Sequence, residues 1–285
     1  MTGRLPMTSF AFQQVDVFTT VALKGNPLAV VIGADGLSDA AMAALANWTN
    51  LSETAFLLRP TASGADYRVR IFTPERELLF AGHPTLGSCQ VWLNAGGKPK
   101  GADIVQECGV GLVRIKRDGE QLAFAAPPLR RTGDVERETL DVIAKGLGIQ
   151  PQAIIASQWI DNGPGWVAVM LGSRAEVLAI KPDYPALKGL KLGVVAPWDV
   201  AKDGCEAQFE VRAFVSTLAD EDPVTGSLNA GIAQWLIGRG IAPAAYVASQ
   251  GTALGRGGRV HVQRDGDDIW IGGSVVTCIE GTLRL

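Results

Sequence analysis

Apolar and polar residues alternate along Tyr67-Arg-Val-Arg-Ile-Phe72, with Tyr67, Val69 and Ile71 apolar and Arg68 and Arg70 between them. Phe209-Glu-Val-Arg-Ala-Phe214 repeats the pattern, with Glu210 and Arg212 between Phe209, Val211 and Ala213. Successive side chains of a strand point to opposite faces, so each segment predicts a half-buried strand. Comparable runs predict strands over 10–18, 28–32, 54–58, 110–116, 121–125, 154–160, 166–171, 258–263 and 268–276, with Gly25-Asn26-Pro27 as the turn between the first two. Helices are predicted from a Ser38 cap through Trp48 and from an Asp134 cap to about Lys145. The stretch 174–190, with two prolines and a mixed pattern, is assigned no element.

The two alike strands are each followed by a loop and a shared motif, His83-Pro-Thr-Leu-Gly-Ser88 and Asp222-Pro-Val-Thr-Gly-Ser227. Helical content then runs to Trp92-Leu93 and to Trp235-Leu236, with Gly96 and Gly238 as stops. Proline fits a helix start and aspartate is a preferred N-cap, so each motif is expected to open a helix, with His83 and Asp222 at matching positions. First-turn amides lack backbone partners and carry the positive end of the helix dipole, which suits a carboxylate or an enolate oxygen. Gly87 and Gly226 leave room for such an approach. A single turn of this kind reads as an ordinary capped helix. Its duplication predicts two related halves aiming both helix starts at one ligand in an interdomain cleft, His83 and Asp222 forming an acid and base pair.

A chain of 285 residues fits two modest α+β domains, with Pro127-Pro128 followed by Arg130-Arg131 and Gly133 as the linker: 1–127 and 128–276, the last strand 277–285 being open to membership of the first. The 47% of hydrophobic residues and 19% of charged ones exclude disorder as the main state. With 26 Lys and Arg against 29 Asp and Glu, no global positive field is available for nucleic acid. No apolar segment reaches the length of a membrane span, and the opening 17 residues show no apolar leader stretch, so a cytoplasmic protein without membrane partners is expected. Cys89, Cys108, Cys205 and Cys278 lack CxxC spacing and read as reduced, buried and inert. His83 and His261 form no paired ligand motif, so no metal is expected, and His261 reads as an ordinary strand residue. Gly255-Arg-Gly-Gly-Arg259 lacks the third glycine of a dinucleotide fingerprint and reads as a hairpin turn. Glu53, just ahead of the strand at 54–58, reads on local context as a solvated edge carboxylate; withdrawn from water, it becomes a stronger base.

Val15-Asp-Val-Phe-Thr19, Gly25-Asn-Pro-Leu-Ala-Val-Val31, Asn50-Leu-Ser-Glu-Thr-Ala-Phe56, Phe80-Ala-Gly-His-Pro-Thr-Leu-Gly-Ser88 and Glu221-Asp-Pro-Val-Thr-Gly-Ser227 together resemble the PhzF-like family of phenazine-biosynthesis isomerases. The resemblance runs in order through most of the chain. It implies a fold similar to diaminopimelate epimerase: two pseudo-symmetric α+β domains, each a mixed sheet wrapped around a central helix, in a chain that forms a homodimer. It also implies isomerisation of a small carboxylate-bearing molecule without cofactor or metal. In the family's best-known member a glutamate moves a proton between ring carbons of trans-2,3-dihydro-3-hydroxyanthranilate. By that likeness Glu53, His83, Asp222 and Ser227 are the catalytic residues, and Gly82, Gly226 and Ser227 bind the substrate. The segment Ser88-Cys-Gln90 departs from the family's Ser-Ala-His, and Gly255-Arg-Gly-Gly-Arg259 from its Gly-Arg-Pro-Ser, which leaves the substrate open.

Two other classes stay in view. A two-base amino-acid racemase on the related fold carries a cysteine at each helix start, and here no two cysteines are separated by the 139 to 143 positions that link the repeats. A binding protein that had lost its chemistry would have replaced Glu53 or Asp222, and both are present.

Overall fold

A computed structural model describes residues 8–285; residues 1–7, part of the stretch read above for a leader, lie outside the described residues. Two compact units emerge, one made of 8–23, 27–124 and 273–285 and the other of 24–26 and 125–272. In chain order the first comprises β1 (Ser9–Val17), β2 (Asn26–Ile32), α1 (Asp39–Thr49), β3 (Thr54–Leu58), β4 (Tyr67–Phe72), β5 (Glu77–Leu78), α2 (Gly82–Asn94), β6 (Ile104–Cys108), β7 (Gly111–Asp118) and β8 (Gln121–Ala125). The second comprises β9 (Arg131–Gly133), α3 (Arg137–Leu147), β10 (Ala156–Asp161), β11 (Trp166–Met170), α4 (Arg174–Ala179), β12 (Lys191–Pro197), α5 (Val200–Asp203), β13 (Phe209–Val215), β14 (Asp220–Glu221), α6 (Gly226–Gly238), β15 (Ala245–Gln250), β16 (Gly258–Asp265) and β17 (Asp268–Gly273). The last strand, β18 (Val275–Arg284), returns to the first unit and pairs antiparallel along β1.

One connectivity is used twice. In the first unit β2 and β3 are parallel, β3 and β4 antiparallel, β4 and β6 parallel, and β6, β7 and β8 follow as antiparallel neighbours. In the second, β11, β12, β13, β15, β16 and β17 repeat those relations in the same order. A parallel pair needs a crossover, and in both units the crossover between the third and fourth members of the series carries the most buried helix, α2 or α6. These helices lack a wide polar face because each is wrapped: α2 packs on β1, β3, β4, β6 and β18, and α6 on β10, β11 and β16. Two glycines one turn into the helices permit the close approach. A Cβ on Gly87 would lie 2.6 Å from Leu28 Cδ2, and one on Gly231 would lie 2.6 Å from the carbonyl oxygen of Ile160. Further apolar clusters build the rest of each core. Met42, Leu45 and Ala46 of α1 meet Val31, Phe56 and Phe72, while Ile143 and Leu147 of α3 and Val177 of α4 meet Val167, Val194 and Phe214.

Several sequence expectations are corrected. Arg131–Gly133, read as linker, is β9, paired with β10. The helix expected to start on an Asp134 cap starts at Arg137; Val135 is buried in the core ahead of it, and the Glu136 carboxylate is taken by Arg131 and the Trp159 indole. The single strand expected over 268–276 breaks at Ser274 into β17 and β18. Gly238 lies inside α6, and the left-handed residue that follows the helix is Gly240, at φ +68°.

Candidate active site

The two helix starts are built alike, but not in the way the shared motif suggests. α2 begins at Gly82 and α6 at Gly226, 144 positions on, so the first helical residues are the two glycines expected to bind substrate. His83 therefore matches Ser227, not Asp222. Pro84 is the third helical residue of α2, where the absence of an N–H is harmless, whereas Pro223 lies ahead of α6, so the shared prolines mark different places. Neither N-cap residue, Ala81 or Thr225, supplies a side-chain hydrogen bond to its helix, which corrects the expectation of an aspartate cap at Asp222.

The same buried brace holds both starts. In the first unit Thr85 donates to the Ala81 carbonyl at 2.9 Å, Gln106 donates to Thr85 at 3.1 Å, and the Tyr67 hydroxyl donates to Gln106 at 3.0 Å. In the second, Asn229 replaces Thr85 and Gln250 replaces Gln106, each 144 positions later: Asn229 donates to the Thr225 carbonyl at 2.9 Å and to the Gln250 side-chain oxygen at 2.8 Å. Gln106 and Gln250, fully buried amides that use both ends of the group, fix the geometry around them, because an unmade hydrogen bond in a dry site is costly.

In the first unit Glu53 is the residue just ahead of β3, and His83 lies in the first turn of α2. The structure brings them together, with Glu53 Oε2 3.3 Å from His83 Nε2. Their side chains are only 16% and 5% exposed, so Glu53 is not the solvated edge carboxylate of the local reading.

In the second unit Asp222 is held by three neighbours. Asn26 donates to Asp222 Oδ1 at 2.8 Å, Thr225 donates its hydroxyl to Oδ2 at 2.5 Å, and Gln250 donates to the Asp222 carbonyl oxygen at 3.0 Å. Asn26 also donates to the Val224 carbonyl at 2.9 Å, tying residues 24–26 into this unit although β2 continues into the other. Ser227 is contacted by Trp166 and Asn162 from β11 and the turn before it. Asn26, Thr225, Gln250, Trp166 and Asn162 were not singled out from the sequence. The quoted Gly25-Asn-Pro27 motif was the available signal for Asn26, and the repeat of Gln106 at Gln250 for the brace.

Cysteine takes no part at either helix start. Cys89 lies inside α2 and burial pushes its thiol up to about 12; Cys108 is raised for the same reason. The expectation of four buried cysteines is corrected, since Cys205 is exposed and Cys108 and Cys278 are half-buried. Among the described residues no three His, Cys, Asp or Glu side chains are grouped as a metal site, and no helix is long and apolar enough to cross a membrane.

Comparison with known proteins gives a consistent picture. The profile of the family described as phenazine biosynthesis-like protein matches residues 15–281. The Schizosaccharomyces pombe protein named antisense-enhancing sequence 1 is 36% identical, over 96% of this chain and 99% of its own. A trans-2,3-dihydro-3-hydroxyanthranilate isomerase of Pseudomonas aeruginosa is 35% identical over 61% of each chain. Among solved structures, a PhzF-family phenazine biosynthesis protein of Enterococcus faecalis superposes with a TM-score of 0.81 at 27% identity, covering 98% of this chain and 100% of that one.

Proposed function

Because this chain belongs to the phenazine biosynthesis-like family of isomerases, we propose that it moves a proton, and with it a double bond, within a small carboxylate-bearing substrate. The observation that carries the reading is the contact between Glu53 and His83, two proton-transferring groups 3.3 Å apart and withdrawn from bulk water.

Glu53 takes a proton from a carbon next to the substrate's unsaturated system. The electron pair left behind spreads into that system, and the same carboxyl returns the proton to another carbon, so the enzyme ends each cycle as it began. His83 orients Glu53 and the group it attacks. Asp222, gripped on both carboxylate oxygens, orients and polarises the substrate. The helix-start amides at Gly226 and Ser227 hold its negative charge, which grows on the enolate-like intermediate, and Gly82 offers the corresponding backbone at the other helix start. A thiol-based two-base reaction fits poorly, because the first-turn positions are His83 and Ser227.

The test is turnover of trans-2,3-dihydro-3-hydroxyanthranilate, the compound named for the Pseudomonas relative, together with other small unsaturated acids, in deuterated water. Isomerisation is expected, with solvent deuterium reaching carbon to the extent that the proton held by Glu53 exchanges before it is returned. Glu53→Gln should still bind the acid and lose turnover by several decades, on the order of 3 to 5 kcal/mol in the barrier. Unchanged turnover in that variant removes Glu53 from the reaction.

A further inference from the structure

Ser227 is the second residue of α6, and the segment running from the end of β10 to the start of β11 is fastened to it twice. Asn162 Nδ2 donates to the Ser227 carbonyl oxygen at 2.8 Å, and Trp166 Nε1 donates to the Ser227 hydroxyl oxygen at 3.0 Å. The absence of a side chain at Gly231, one turn further along the helix, lets the Ile160 backbone come close enough for both bonds.

The direction of the second bond matters. A hydroxyl can give one proton and accept at two lone pairs, whereas an indole N–H can only give. The buried Trp166 indole thus occupies one of the two lone pairs of Ser227 and turns its single proton away from the ring. Ser227 itself is half-buried and open to a ligand.

We infer that Trp166 is a positioning residue that fixes the Ser227 hydroxyl oxygen and keeps its proton off the indole side, so that the proton is presented to a carboxylate or enolate oxygen of the ligand. This rests on the reading that Ser227 touches the substrate. A serine without the indole could rotate to another rotamer; the buried indole opposes that rotation, because its N–H loses its acceptor when the hydroxyl leaves.

Three variants test it: Trp166→Phe, which keeps an aromatic ring and deletes the N–H, Ser227→Ala, and the two combined. With trans-2,3-dihydro-3-hydroxyanthranilate as the probe, Trp166→Phe should raise KM about tenfold with kcat changed far less. The double variant should be no weaker than Ser227→Ala alone, because the indole acts only through the hydroxyl. A normal KM in Trp166→Phe beside a raised KM in Ser227→Ala overturns the role of Trp166 and spares the functional reading. No saturable binding of the acid by the wild-type chain, or a normal KM in Ser227→Ala, defeats both. If Trp166→Phe does not fold, the indole N–H resonance of Trp166 in Ser227→Ala decides: a shift on loss of its acceptor supports the inference, and an unmoved resonance overturns it.

Discussion

Arg212 and Glu221 meet through two parallel hydrogen bonds of 2.9 and 2.6 Å, and Arg70 and Glu77 repeat the pairing in the other unit at 2.7 and 2.6 Å. Each arginine stands on the strand ahead of the central helix, and each glutamate on the two-residue strand that leads towards it. Each guanidinium also lies over a phenylalanine of its own strand, 4.8 Å from the Phe214 centroid and 5.1 Å from that of Phe72. The clasp therefore fixes the chain just before each helix start, and Asp222 follows Glu221 directly.

The two clasps differ in burial, and the difference sets an expectation for stability. Arg212 and Glu221 are 5% and 6% exposed, whereas Arg70 and Glu77 are 17% and 39% exposed. Glu221→Gln leaves a buried guanidinium without its counter-charge and should cost about 3 to 5 kcal/mol. Glu77→Gln should cost below about 1 kcal/mol, because water reaches the pair. Denaturant titrations of the two variants check the order; equal losses would contradict it.

Asn26 offers a pH-dependent test. Asn26→Asp keeps the shape and replaces the amide that donates to Asp222 with a second carboxylate. Two carboxylates at hydrogen-bond distance repel when both are ionised, so the variant should be least stable and least active above the carboxylate range and recover on acidification. Asn26→Ala lacks that repulsion, and its defect should be flat over the same pH range. Melting temperatures and kcat/KM measured between pH 4 and 8 would separate the two.

Alanine at the two packing glycines should act unequally. At Gly231 the added methyl meets the Ile160 backbone, which cannot turn away, and about 3 kcal/mol is expected to be lost. At Gly87 its nearest neighbour is the end of the Leu28 side chain, so about 1 kcal/mol is expected after the better helix propensity of alanine is counted. Thermal melts of both single variants provide the comparison.

Thiol chemistry should follow exposure. Cys205 is exposed and should react first with a thiol-specific reagent under native conditions. Cys89, buried and pushed up to about 12, should stay unmodified until the chain unfolds. Peptide mapping of the labelled protein reads the order directly.

Strands with one buried face were legible because their alternation is local: β4 and β8 follow it closely, whereas β13 alternates in sequence yet is buried on both faces, its Glu210 and Arg212 held in ion pairs. Three strands left no such trace. Leu192 to Ala196 of β12 are buried on both faces and read as an unpatterned apolar run, while β6 and β15 bury Gln106, Ser249 and Gln250, which look like surface residues in sequence. The motifs pointed to Glu53, His83, Asp222 and Ser227, but matching their prolines paired His83 with the wrong partner. Proline is tolerated both before a helix and in its first turn, so it cannot set the register; the repeated Arg–Glu clasp and the Gln106 and Gln250 braces can. Asn26 was hidden because three residues leave their neighbours for the other unit, an excursion that no local pattern encodes.

The pairing of Ser9 with Arg284 and of Val17 with Val275 sets an order of events during synthesis. β1 leaves the ribosome well before β18 and must wait for it, whereas nearly all of the second unit lies between residues 125 and 272 and can assemble beforehand. Until the final strand emerges, β1 lacks this neighbour and presents an unpaired backbone edge, the kind of surface that recruits other chains. Chaperone demand, and the damage done by a truncation that removes β18, should therefore concentrate on the unit that carries Glu53 and His83.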